Sequence, residues 1–326
     1  MMKIDVYSHI MTPKYLEAMG RYGGVIQLIG KLTSLWDVEQ RLRVMDKFEG
    51  LSQVLVPGGT SKKDITPEQE AELAKIANDE VAEIVAKYPD RFVAAAAVLP
   101  LKDIDLSLKE ADRAINVLKL RGVHIPTPIL GKAVDRPEFF PIFEAMCRYD
   151  LPIWLHPSRP PWPEYPGEEK PSYDTWLLWG WPYESTLAMT RMVLSKMLLK
   201  LPSLKVIIHH AGAMVPFFSQ RIVSVFDSAE ITGKQNHTEG LPGDILDYFR
   251  KFYVDTAVNG NTSALMCSHG FYGADHILFG TDMPFDSQNG FRATNSAITA
   301  IESMNIPEAD KVKIFRDNTR KLLKLN

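Results

Sequence analysis

The chain has only two cysteines in 326 residues, Cys147 and Cys267, both inside helical patterns. That excludes a disulfide framework and fits a reducing compartment. No apolar run approaches the ~18 residues of a membrane span. The opening residues, Met1-Met2-Lys3-Ile4-Asp5-Val6, hold no apolar signal core, so a cytoplasmic protein without membrane contact is expected. Basic charge is not in excess either. With 37 Lys+Arg against 40 Asp+Glu the net charge is −3, which excludes the electrostatic footprint of nucleic-acid binding. No Gly-x-Gly-x-x-Gly follows a first strand, which weighs against an open doubly wound sheet. Hydrophobic residues at 45% and charged residues at 24% are ordinary for a globular protein and exclude disorder.

What is present is alternation. Apolar, β-branched runs of strand length occur eight times: Lys3–Ile10, Ser52–Pro57, Phe92–Leu99, Gly122–Pro126, Pro152–His156, Lys205–His209, Phe252–Asp255 and His276–Phe279. Helical patterns lie between them, at Asp64–Lys87, Asp105–Leu120, Pro137–Tyr149, Ser185–Leu199, Val215–Asp227, Asp244–Arg250, Thr262–Tyr272 and Thr294–Ser303. Glu308–Leu325 closes the chain. Eight strand–helix units at this length predict a (β/α)8 TIM barrel, one domain over residues 1–326.

Two segments exceed a minimal barrel. Gly20–Trp36 follows the first strand. Pro157–Pro182 follows the fifth and holds seven of the 22 prolines and four of the six tryptophans. Both are placed on the C-terminal face, where such loops build active sites. The Trp/Pro loop reads equally as a packed cover or subunit contact and as a lid over an apolar pocket. Trp154, Trp176, Trp179 and Trp181 are the candidates for a wall against substrate.

Four strand ends carry chemistry. They read Asp5-Val6-Tyr7-Ser8-His9, Trp154-Leu155-His156-Pro157, Ile208-His209-His210-Ala211-Gly212 and Phe279-Gly280-Thr281-Asp282. Residues two apart share a face, so Tyr7 and His9 point inward together. His9, His156, His210 and Asp282 on four strands of one barrel form a candidate metal cage. Zinc takes three nitrogen and oxygen ligands and leaves a position open. His209 precedes His210, and neighbours on a strand face opposite sides, so it reads as a barrel-wall residue.

These blocks, with Leu204–Pro216, Phe252–Thr256, Ile277–Phe285 and Asp317-Asn318-Thr319, run nearly end to end. They resemble the amidohydrolase superfamily, in the branch of aminocarboxymuconate-semialdehyde decarboxylase and the dihydroxybenzoate (resorcylate) decarboxylases. The resemblance implies a metal-dependent enzyme that decarboxylates or hydrolyses a small cyclic or unsaturated carboxylic acid. It implies His9, His156 and Asp282 as ligands of a divalent metal, most simply zinc, with manganese or iron as alternatives. It makes His210 the general acid/base, with Asp282 a ligand and proton acceptor. It matches Arg221 to an arginine that reaches a neighbouring subunit's substrate carboxylate, which implies a homo-oligomer.

Three departures stand out. The branch opens with His-x-His or Glu-x-His, and this chain has Tyr7-Ser8-His9. Tyr7 either binds as phenolate, which iron favours, or stands aside, or marks a lost metal site. Resorcylate-type enzymes carry a glutamate where Ala213 stands; the semialdehyde type has a small residue there. His124 ends the fourth strand, near a bridging position of dinuclear relatives. With His209 it offers ligands for a second metal, and so a dinuclear Fe/Mn oxygenase as an alternative. A structural subunit of a hetero-oligomer, its catalysis impaired, is the third reading.

Overall fold

The protein, seen in a computed structural model, is described over residues 1–22, 29–59, 64–228, 231–233, 235 and 237–325. Part of the segment after the first strand, residues 23–28, therefore lies outside the described residues.

The strands are β1 (Lys3–Ile10), β2 (Leu51–Pro57), β3 (Phe92–Ala95), β4 (Ala97–Val98), β5 (Val123–Thr127), β6 (Ile153–Pro157), β7 (Val206–Ile208) and β8 (Tyr253–Val254). All pairings are parallel, in the orders β1-β2-β3 and β4-β5-β6-β7-β8. β3 and β4 are two halves of one stave, broken at Ala96, whose N–H still donates to the Leu55 carbonyl at 2.9 Å. The eighth stave is Ile277–Phe279. It meets β8 through the Val254–Ile277 bridge. It meets β1 where Val6 N–H donates to the Phe279 carbonyl at 2.8 Å. First and last staves thus close a (β/α)8 barrel, as the alternation predicts.

Alternate residues fill the interior. Ile4, Val6, Tyr7, Val54, Val56, Ala94, Ala96, Trp154, Ile207 and Leu278 form one buried cluster inside the barrel. The opposite faces of the same strands, including Leu55, Ile125, Leu155 and Ile208, pack outward against the helices. Trp154 is the largest fully buried side chain, and its Nε1–H donates to the Val6 carbonyl at 2.9 Å. Gly122 makes room for it. A Cβ there, at φ +144°, would sit 2.6 Å from the indole and 2.3 Å from the Pro152 carbonyl oxygen.

The helices keep most of the expected bounds. Val215–Asp227 and Thr262–Tyr272 coincide with the sequence reading. The helix expected from Asp64 starts at Pro67, because Thr66 and Gln69 close a capping box there. Asp105–Leu120 divides into an α-helix, Ile104–Asp112, and a π-turn, Arg113–Val117. Helices Pro13–Arg21, Val38–Met45 and Thr175–Leu178 lie where no helical pattern was read. The eighth stave is not a regular strand, because Phe279 N–H is diverted to the Ile314 carbonyl at 2.8 Å. In the loop after β6, Glu164 accepts from Ser172 N (2.8 Å), Tyr173 N (2.9 Å) and Thr175 Oγ1 (3.0 Å). That one carboxylate folds the loop onto itself. No helix among the described residues is long and apolar enough to cross a membrane.

Trp154→Ala empties the barrel interior beneath the mouth. It is expected to cost about 3–5 kcal/mol, read from equilibrium urea unfolding; a loss under about 1 kcal/mol would mean that the interior refills.

Candidate metal centre

Four side chains converge at the C-terminal mouth. One ligand atom each from His9, His156, His209 and Asp282 lies within 4.8 Å of all the others. His9 comes from the end of β1, His156 from β6, His209 from just beyond β7, and Asp282 from beyond the eighth stave. Asp282 Oδ1 sits 3.0 Å from His9 Nε2 and 3.2 Å from His209 Nε2. All three atoms are buried, and among the described residues none has a hydrogen-bond partner outside this contact. Metal–nitrogen and metal–oxygen bonds of about 2.0–2.2 Å place neighbouring ligand atoms roughly 3 Å apart. The donor set and its spacing therefore fit a divalent cation.

This corrects the placement of His209. Alternation puts it inward, two residues after Ile207, which faces the barrel interior. It belongs to the same four-donor group as His9, and not to a separate second site. His124 stays outside that group: its ring lies 5.7 Å from that of His156 and 6.3 Å from that of His9.

His210 reaches the site by a different route. From His210 the chain turns left-handed for four residues: His210 (φ 61°), Ala211 (φ 54°), Gly212 (φ 78°) and Ala213 (φ 55°). Only Gly212 adopts this without strain. The turn brings the His210 ring to 4.0 Å from the His209 ring, with a buried, unpartnered Nδ1. At Ala213 no carboxylate is available.

Asp255, at the end of β8, organises the strand end. It is fully buried. Its Oδ1 accepts from Ala211 N (3.2 Å) and Ala257 N (2.9 Å), and its Oδ2 holds His209 Nδ1. With Nδ1 engaged, His209 turns Nε2 to the cluster, the arrangement in which a carboxylate orients a ligating imidazole. The sequence reading assigned Asp255 no role; the sign was a carboxylate at a strand's C-terminal end.

Tyr7 lies in the same ring cluster. Its ring is 4.0 Å from that of His209, tilted 34°, and its buried hydroxyl has no hydrogen-bond partner. Burial, with Asp255 and Asp282 nearby, pushes the phenol well above its ordinary value, so it is neutral.

Without a metal the charges sort themselves. Burial works against a charged His209, but Asp255 and Asp282 outweigh it and hold the imidazolium up to about 10. Burial likewise opposes the Asp282 carboxylate, yet His209 and His9 hold it well below its usual range. Burial and then the His209 charge push His156 well down and His210 down to about 4. Burial, His9 and His209 take His124 to about 3.

The tryptophans divide. Trp181 sits 5.4 Å from the His156 ring and Trp176 6.0 Å from Trp181, so these two form the wall beside the site. Trp179 is 68% exposed, and Trp154 is fully buried in the barrel interior. Phe285, which the sequence reading passed over, lies 5.2 Å from the His9 ring. Arg221 is exposed on the helix Val215–Asp227, alongside exposed Phe217 and Phe218.

The family model described as amidohydrolase matches residues 66–325. The gamma-resorcylate decarboxylase of Rhizobium sp. (strain MTP-10005) is 32% identical, covering 99% of this chain and 98% of that protein. The 2-amino-3-carboxymuconate-6-semialdehyde decarboxylase of Dictyostelium discoideum is 30% identical over 87% of this chain and 82% of its own length. Among solved structures, the dihydroxybenzoic acid decarboxylase from Polaromonas sp. JS666, with bound manganese and the inhibitor 2-nitroresorcinol, superposes with a TM-score of 0.79. That structure shares 28% identity, covering 99% of this chain and 97% of that one. These relatives are decarboxylases, which does not favour the oxygenase reading.

In metal-free protein the raised His209 pKa stabilises the fold. The contribution is whole below the ordinary imidazole value of 6.5 and disappears as pH rises through about 10. The thermal midpoint of chelator-treated protein is expected to fall across that window, and Asp255→Asn to flatten the fall. Parallel profiles for the two proteins would show that Asp255 does not hold the His209 proton.

Proposed function

The chain belongs to the amidohydrolase family, and we propose that it is a decarboxylase acting on a small hydroxylated aromatic acid, with one divalent metal held by His9, His156, His209 and Asp282. One observation carries the reading: four donors from four staves converge within 4.8 Å, and His9 Nε2, His209 Nε2 and Asp282 Oδ1 are buried against one another with no hydrogen-bond partner outside the group among the described residues. His209 takes the place that the resemblance would give to the residue at Tyr7. Manganese is the ion we favour over zinc, because the Polaromonas decarboxylase holds it.

When bound, a divalent metal supplies Lewis-acid polarisation of substrate oxygen atoms. The chain's own residues do the rest. Trp181 beside His156 and Phe285 beside His9 are the aromatic surfaces against which a flat substrate ring would rest. His210 is a neutral imidazole near pH 7. Its unpartnered Nδ1 relays a proton drawn from solvent to the ring carbon that bears the carboxylate. As that carbon–hydrogen bond forms, the carbon–carbon bond breaks, CO2 leaves, and its electron pair restores the aromatic ring. Asp282, held well below its usual range by His209 and His9, stays a carboxylate and serves as a metal ligand.

Arg221 extends the reading to a homo-oligomer. With Phe217 (76% exposed) and Phe218 (41%) beside it on one helix, it offers a cation amid apolar surface for a second copy and its carboxylate substrate. The unpaired Cys147 and Cys267 suit a reducing, cytoplasmic setting.

The test pairs metal analysis with turnover of 2,6-dihydroxybenzoate. Wild type is expected to carry about one manganese per chain and to release CO2. His156→Ala and His209→Ala should lose metal and activity together, whereas Tyr7→Phe keeps the metal. Full metal in His209→Ala, with loss in Tyr7→Phe, would hand the fourth ligand position to the phenol. A metal-loaded wild type inert toward hydroxybenzoates would remove the decarboxylase assignment.

A further inference from the structure

One buried cation has no part in the scheme above. Arg41, on the helix Val38–Met45, is fully buried beneath the barrel mouth, and no carboxylate touches its guanidinium. Its Nε donates to the Ser34 carbonyl at 2.9 Å and its Nη1 to Gln53 Oε1 at 3.0 Å. Its Nη2 donates to the backbone carbonyl of His9. Gln53, also fully buried, passes the link on, its Nε2 donating to Asp5 Oδ2 at 3.3 Å.

Asp5 sits at the centre of the seam between first and last staves. Its Oδ1 accepts from Thr281 N (3.0 Å) and Tyr7 N (3.2 Å), and its Oδ2 from Thr281 Oγ1 (2.6 Å). The regular ladder is interrupted at this place, for the register of β1 on β2 shifts between Asp5 and Ser8. Asp282 itself is left-handed, at φ 60°. On the β2 side, where that register shifts, the Gln53–Asp5 link adds a side-chain bond, while the seam with the last stave keeps its main-chain pairs. His9 is fixed at both backbone groups, with its N–H on the Met283 carbonyl at 2.8 Å and its carbonyl on Arg41. Asp282 is fixed by its own N–H to the Tyr7 carbonyl at 3.0 Å and by the grip of Asp5 on Thr281.

We propose that Arg41, acting through Gln53 and Asp5, is a positioning residue that sets the spacing between His9 and Asp282 for metal binding. The proposal rests on the metal-centre reading above. A bare neutralising role predicts otherwise: a cation needed only to offset Asp5 should sit against it, and Arg41 instead spends its donors on Gln53, Ser34 and His9. Ser34 also ties the segment after β1 to the same point.

The test is titration of metal-free protein with Mn(II), followed by the electron paramagnetic resonance signal of the free ion, with unfolding midpoints measured alongside. Arg41→Met is expected to weaken Mn(II) binding by about 10–100-fold, the range for partners that orient metal ligands. The double variant Arg41→Met/Asp5→Asn removes the buried cation and the buried anion together. It should recover much of the lost stability while binding Mn(II) as weakly as Arg41→Met. Arg41→Lys keeps the charge but gathers its donors on a single nitrogen, which cannot span the Ser34, Gln53 and His9 acceptors, and it is expected to fold and to bind Mn(II) several-fold more weakly than wild type. Wild-type affinity in the double variant or in Arg41→Lys would overturn the proposal, since charge balance alone would then suffice. Wild type that binds no Mn(II) would instead overturn the metal-centre reading, and this proposal with it.

Discussion

Crowded lone pairs are the constraint around which this molecule is arranged. Imidazoles from three staves and a carboxylate from a fourth point at one another across a few ångströms, and in the metal-free state they relieve one another only by sharing protons. Such a cluster collapses or hydrates unless the backbone behind it is held. A closed barrel provides that backing. Its interior is filled from below by Trp154 and its neighbours, so the mouth has a floor. Its staves bring side chains from distant parts of the sequence to one level.

The backing is concentrated where regular structure gives out. β7 ends at Ile208, and the turn through His210 and Ala213 is left-handed, which costs roughly 1–2 kcal/mol for each residue with a Cβ. Asp255 offsets part of that cost by accepting from Ala211 N while holding His209. On the other side, Asp5 and Arg41 bridge the place where the β1 ladder shifts register. Both buried carboxylates serve backbone N–H groups as well as side chains, and so couple the direction of a ligand to the path of the chain.

The architecture was legible in the sequence because it is periodic. Runs such as Ser52–Pro57 and helices such as Thr262–Tyr272 announce themselves by length and spacing. The strand ends were legible too, since a histidine or aspartate closing an apolar run is conspicuous. What alternation could not give was the direction of His209 and His210, because that pair straddles the end of a strand. Counting from His210 placed His209 on the wall; counting from Ile207 places it inside, and the left-handed turn then brings His210 to the site as well. Trp154 misled for a related reason. Aromatic character marks burial or a binding surface equally, and only neighbours such as Gly122 decide which. Arg41 and Gln53 gave no local sign at all, because their roles exist only once three separated segments meet.

The seam has one more implication. His9 comes from the first stave and Asp282 follows the last, with the main chain of one bonded directly to the other. During synthesis on the ribosome, His9 emerges early and waits while nearly the whole polypeptide is made. The complete ligand set cannot assemble on a partial chain, so a nascent protein has no finished site with which to capture an ion. Loading of the proposed centre is thereby deferred until the last stave has joined the first.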